Sequence, residues 1–246
     1  MRIALISDIH GNLFALDAVL AELEHEEFDH LVCLGDVAVG PQPCETLERV
    51  QALGCPVIMG NWDAAFLHGM PPAHDEVFQK LVDIGAFWAD KLSPEHRGFM
   101  ETFLPNYELP LDDGGRVVLF HGSPRSYDDW IFATTPDDEV EQMLDGFDAP
   151  LMIGGHTHLQ LIRRLESGML VNPGSVGLPF QHWWPNTVVI APWAEYGLVD
   201  LEDGQMRVDL RRTTYDVDAL LRLSRESGMP WAEWWAGTWA GVTGPS

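Results

Sequence analysis

The sequence predicts an α/β protein in which two β-sheets pack face to face with helices on the outside. Three observations point there. The first 60 residues alternate between short apolar runs and helical patterns, as parallel strands joined by helices do. After Gly114-Gly115 the pattern turns strand-rich, with turn signals that suggest antiparallel hairpins. A chain of 246 residues, 46% of them hydrophobic, is long enough to fill a substantial core.

Taken in order, "RIALIS" at residues 2–7 is a strand. It is followed by a helix whose apolar residues Leu13, Leu16, Val19, Leu20 and Leu23 recur at helical spacing. "HLVCL" is a strand, "CETLERVQAL" a helix and "PVIM" a strand, after which "GNWDAAF" reads as a turn into a helix capped by Asp63. Residues 75–104 are mostly helical, with Ser93-Pro94 starting a second helix there. "RVVLF", "PLMI", "GMLVN", "NTVVIAP", "YGLVDL" and "QMRVDLRRT" are strands, with the helix "DDEVEQMLDGF" between the first two. Residues 216–246 form a Trp-rich helical tail. Docking of Trp231, Trp234, Trp235 and Trp239 on the body is the simpler reading, and a homo-oligomer contact the sharper one. With no repeat or linker, residues 1–246 read as one domain.

Composition narrows the function. A formal net charge of -24 argues against general nucleic-acid binding, because most of the surface repels polyanions. It leaves room for a small phosphate-bearing substrate at a site with its own cations. No apolar stretch approaches the ~20 residues of a membrane helix, so no membrane partner is expected. The N-terminus reads as a strand rather than a signal peptide. Cys33, Cys44 and Cys55 form no CxxC pair. Both features point to a cytoplasmic protein.

Five strand ends carry metal-ligand residue types: Asp8 and His10; Asp36 after Gly35; Asn61 after Gly60; His121; and His156 and His158 flanking Thr157. Ligands in open α/β sheets bind beyond the carboxyl ends of strands, where loops converge on a rigid frame. Each motif alone is common, but five together at strand ends are not. Two carboxylates, one amide oxygen and four imidazoles suit two first-row divalent ions: Mn first, with Fe, Zn, Co or Ni as alternatives. Calcium prefers an all-oxygen shell. Such an ion pair can hold a phosphoryl oxygen and activate a water.

In this order the motifs resemble the calcineurin-like metallophosphoesterases, over residues 3–177. "HGSP" at His121–Pro124 and "NPGSVG" at Asn172–Gly177 are similar to the small bacterial and archaeal branch related to YfcE-type phosphodiesterases. The resemblance implies a four-layer αββα sandwich of two mixed sheets. It implies that Asp8, His10, Asp36 and His158 hold one metal, and Asp36, Asn61, His121 and His156 the second. Asp36, Asn61 and His121 would act catalytically through a metal-bridging hydroxide, with no covalent enzyme intermediate. The expected activity is phosphoric ester hydrolysis, on a phosphodiester, a nucleotide or a dinucleoside polyphosphate. A protein phosphatase of the same fold is an alternative. So is a non-catalytic interaction scaffold, although no metal-ligand position is substituted here.

One position departs from the pattern. Many family members place a histidine between the Asn and the acidic residue, where it can protonate the leaving group; this chain has Trp62. Indole is no general acid at neutral pH. The substitution weighs against monoesters with poor leaving groups, and His68, His182 and Arg125 are the candidate substitutes by proximity to motifs. Trp62 would either pack in its loop or form a wall on which a base stacks. Asn172 and Ser175 are expected to shape a turn near the second histidine pair, with Gly174 and Gly177 giving backbone freedom.

Overall fold

The computed structural model describes residues 1–112, 114–182, 188–202 and 204–241. Its N-terminal half runs β1 (Arg2–Ile6), α1 (Leu13–Leu23), β2 (His30–Cys33), α2 (Pro43–Leu53), α3 (Asn61–His68), α4 (Glu76–Ala89) and α5 (Pro94–Met100). There follow β3 (Tyr107–Pro110), β4 (Arg116–Leu119), α6 (Asp137–Leu144), β5 (Leu151–Ile153), β6 (Leu161–Arg164) and β7 (Met169–Asn172). The chain closes with β8 (Phe180–His182), β9 (Val189–Ile190), β10 (Ala194–Glu202), β11 (Gln205–Thr213), α7 (Val217–Glu226) and α8 (Ala232–Ala236).

Two mixed sheets result. One has the order β11-β10-β1-β2, with β1 parallel to β2 and antiparallel to β10. The other has the order β3-β4-β5-β7-β6, parallel at its centre and antiparallel at both edges. Strand alternation sorts the side chains into layers. Ile3, Leu5, Val32, Val117, Leu119, Ile153 and Val171 meet between the sheets. Ala4 and Ile6 face α1, α2 and the tail. Val118, Met152 and Leu170 face α6. The order is helix, sheet, sheet, helix, as the family resemblance implies.

Several expectations need correction. "PVIM" forms no full strand: Val57 and Ile58 make only single bridges, to Cys33 and Leu104. In "NTVVIAP" only Val189–Ile190 is a strand, while Asn186 and Thr187 lie outside the described residues. The edge strands β3 and β6 and the short β8 carry little periodicity and escape the sequence reading. Asp63 is the third residue of α3 rather than its cap, which is Gly60. Ser93 does cap α5, its hydroxyl accepting from the His96 N–H. In the Trp-rich tail Trp235 and Trp239 are buried in the core cluster that also holds α1 and β10 side chains, while Trp231 stays 47% exposed; residues 242–246 of that tail lie outside the described residues. Among the described residues no helix is long and apolar enough to cross a membrane.

Candidate metal centre

The ends of both sheets converge on one buried site. Beyond β1 and β2 the main-chain pairing continues into the loops, with Asp8 N–H donating to Gly35 O and His10 N–H to Asp36 O, both at 2.9 Å. The second sheet is stitched on by Val176 N–H to Ser7 O at 2.8 Å and Gly177 N–H to Asp8 O at 3.0 Å. A methyl group at Gly177 would land on Ile9 O, so its role is close approach. Gly174, at φ +84°, supplies the backbone freedom.

The backbone is strained where the ligand types sit. Asp8, His10, Asp36, His156 and His158 have φ between 51° and 67°, and among the described residues Trp231 alone is a further non-glycine with positive φ. Each costs roughly 1 kcal/mol or more, a cost tolerated where the surroundings impose it and a mark of functional sites.

Asp8, His10 and His158 form one buried triad of donor atoms, and Asp36, His121 and His156 a second; within each, the atoms lie within 4.8 Å of one another. Asp36 Oδ2 is 3.7 Å from His10 Nε2 and 3.7 Å from His121 Nε2, midway between the triads. Asn61 joins the second, with Oδ1 3.1 Å from His121 Nε2. The structure therefore brings all seven predicted residues together. Asn61, however, is the first residue of α3 rather than part of a loop.

Two of the imidazoles are pinned by their other nitrogen: His121 Nδ1 lies 2.8 Å from Leu34 O and His158 Nδ1 2.8 Å from Leu178 O. A carbonyl oxygen only accepts, so in both rings Nδ1 carries the hydrogen and Nε2 presents a lone pair to the centre. His158 Nε2 faces His10 Nε2 at 3.0 Å. Burial, reinforced by the neighbouring His158, pushes His10 well below the ordinary imidazole range, which favours its neutral form. Asp8 Oδ1 and His156 Nε2 are buried without a hydrogen-bond partner, so the donor set fits two cations.

The carboxylates divide the work. Asp8 Oδ2 accepts from Ser7 Oγ at 2.5 Å and from His156 N–H at 3.0 Å. Asp36 Oδ1 accepts from Trp62 N–H at 2.9 Å, at the N-terminus of α3. Asp63 binds no centre; it accepts from Val37, Ala38 and Gly60 N–H and so ties α3 to the loop after β2.

The indole of Trp62, half-buried on α3, packs towards α4, 6.2 Å from the Phe78 ring and against Gly85. His68 is exposed at the far end of α3, about 10 Å along the helix from Asn61. Arg125 donates to Gln142 O on α6. The side chain of His182 lies outside the described residues. Asn172 does shape the histidine loop, donating to Gly155 O at 2.6 Å and Thr157 Oγ1 at 3.1 Å, and Ser175 donates to Asp8 O at 2.7 Å. Sequence reasoning missed Ser7, Trp130 and Phe180. Ser7 was legible as a hydroxyl beside a carboxylate, whereas the two aromatics bear no spacing relation to the ligands they touch.

Comparison with known proteins agrees with this geometry. Residues 1–194 match the calcineurin-like phosphoesterase superfamily domain. The chain is 29% identical over 232 residues to MJ0912 of Methanocaldococcus jannaschii, across 87% of this chain and 88% of that one. A metallophosphoesterase from Sphaerobacter thermophilus is 28% identical and superposes with a TM-score of 0.72, over 94% of this chain and 95% of that one. PH1004 from Pyrococcus horikoshii, at 23% identity, shares the fold with a TM-score of 0.76, over 93% and 94%. The chain belongs to the calcineurin-like phosphoesterase superfamily, as a hydrolase that keeps two buried metal-binding triads.

Proposed function

We propose that this protein is a dinuclear metal-dependent phosphoesterase acting on phosphodiester, nucleotide or dinucleoside polyphosphate bonds. Asp8, His10, Asp36 and His158 would hold one ion and Asp36, Asn61, His121 and His156 the other, with Mn the first candidate. The observation that carries this reading is the convergence of two buried donor triads on one site, with an Asp36 carboxylate oxygen 3.7 Å from a histidine of each. When bound, the ions supply Lewis acidity and an activated water. The chain's own part is to hold seven donors rigid, to keep the imidazoles neutral and to place Asp36 between the triads. Assignment to the small bacterial and archaeal phosphodiesterase branch rests on His121–Pro124 and Asn172–Gly177.

One feature favours substrates with a good leaving group: Trp62 offers no proton to a leaving alkoxide. The deciding experiment is metal analysis of purified protein followed by a Mn-supplemented panel of mono-, di- and anhydride phosphates. Two ions per chain, with diester or anhydride turnover exceeding monoester turnover, is the expected result. Protein that neither retains nor responds to metal would overturn the reading.

Substituting Trp62→His should raise the monoester-to-diester activity ratio by roughly tenfold or more, since a placed general acid contributes about 10²–10⁴-fold. An unchanged ratio removes the missing acid as the cause of the preference.

A further inference from the structure

The two histidines flanking Thr157 diverge, His156 to one triad and His158 to the other. Among the described residues each has two ring neighbours. His156 has the His121 ring at 4.9 Å and the Trp130 indole at 4.2 Å, tilted by 54°. His158 has the His10 ring at 4.7 Å and the Phe180 ring at 4.5 Å, stacked at 23°. One neighbour of each is therefore a fellow ligand and the other an aromatic from a different segment of the chain.

We propose that Trp130 and Phe180 are positioning residues, one for each metal site, that hold the His156 and His158 imidazoles with Nε2 aimed at the ion. A hydrogen bond from Nδ1 to a carbonyl fixes one corner of an imidazole but leaves its plane free to rock about that point. A ring packed on the imidazole removes this freedom. It also acts selectively on the loaded state: a coordinated imidazole gives up electron density, and an electron-poor ring is attracted more strongly to an aromatic face. Both aromatics are themselves braced. Trp130 stacks on Phe132 at 5.5 Å, and the residue before it, Asp129, accepts from Ser123 Oγ at 2.6 Å. Phe180 N–H donates to His158 O at 3.2 Å, joining β8 to the histidine loop. Because the two contacts serve different triads, their losses are separable.

This inference rests on the dinuclear reading, and the test separates the two. Protein stripped with a chelator is titrated with Co(II), following heat and visible absorption, beside melting curves of the metal-free and loaded forms. Wild type takes up two ions. Trp130→Leu weakens one binding step roughly tenfold and leaves the other unchanged, while Phe180→Leu weakens the opposite step by a similar factor. The conservative Trp130→Phe and Phe180→Tyr proteins stay within about threefold, each shift confined to one step. The Leu variants melt like wild type without metal and lower when loaded. Equal weakening of both steps, or no weakening, overturns the proposal. So does a loss of melting temperature as large without metal as with it, the signature of a simple packing role. Should a Leu variant fail to fold, the conservative partner decides by whether its shift falls on one step or on both. A wild type that binds fewer than two ions overturns the dinuclear reading, and this inference with it.

Discussion

Asp36→Asn is expected to abolish phosphoester hydrolysis while raising the melting temperature of the metal-free protein. The two effects share one cause. Burial, together with the charges of Asp63 and Asp8, pushes the Asp36 carboxyl well above the ordinary carboxylate range. A carboxyl whose folded pKa exceeds its unfolded value binds more protons in the folded state, so stability falls as pH rises through that window. The metal-free fold therefore disfavours the ionised carboxylate. Asparagine keeps an oxygen for the Trp62 N–H and removes the charge. Each 1 kcal/mol relieved should raise the melting temperature by roughly 2–4 °C in a chain of this size. With metal the balance reverses, because the proposed shared ligand loses its charge on both sides. Losing several kcal/mol of charge stabilisation, at 1.36 kcal/mol per tenfold, corresponds to ~10³-fold or more in rate. Calorimetry of the stripped proteins and turnover of a chromogenic diester measure the two halves. A metal-free variant that melts below wild type would show that the carboxylate is not repelled; retained turnover would show that it is not shared.

The layers and the donor set were legible because both are written in side-chain type and spacing. Ile3, Leu5, Val32 and Val117 announce strands buried on both faces, and Asp8, His10, Asp36, His121, His156 and His158 stand directly after such runs. What was not legible is set by main chain and by tertiary contact. Asn61 sits on a helix because Gly60, at φ -87° and ψ 165°, starts α3 immediately, where sequence suggests a turn first. The Nδ1 partners of His121 and His158 are carbonyls of Leu34 and Leu178, groups that every residue has and no pattern marks. Trp130 and Phe180 reach their histidines only through the fold. The short edge strand Leu161–Arg164 has an exposed Ile162 and no alternation strong enough to distinguish it from loop.

Gly60→Ala tests the packing of the centre itself. The φ of Gly60 is one that alanine adopts readily, so backbone strain is not the issue. Space is: a Cβ there would lie 2.8 Å from Asp36 Cγ, and closer still to the Asp36 main-chain N and Oδ1. The clash falls on main chain and on the carboxylate proposed to be shared, neither of which can swing away as a flexible side-chain end could. The loop after β2 must move, and with it the Trp62 N–H that holds Asp36 Oδ1 and the Gly60 N–H that Asp63 accepts. Overpacking of this kind costs about 1–3 kcal/mol. A displacement of about 1 Å at the reacting centre costs on the order of 10²-fold in rate. Gly98 is the control: it lies within α5 with no neighbour near its missing Cβ, so Gly98→Ala should leave activity unchanged and stabilise by roughly 0.5–1 kcal/mol. Melting curves and diester turnover on the two variants give opposite signs if Gly60 is kept for its closeness to Asp36. If Gly60→Ala instead behaves like Gly98→Ala, the loop is loose, and the rigidity attributed to the donor set is wrong.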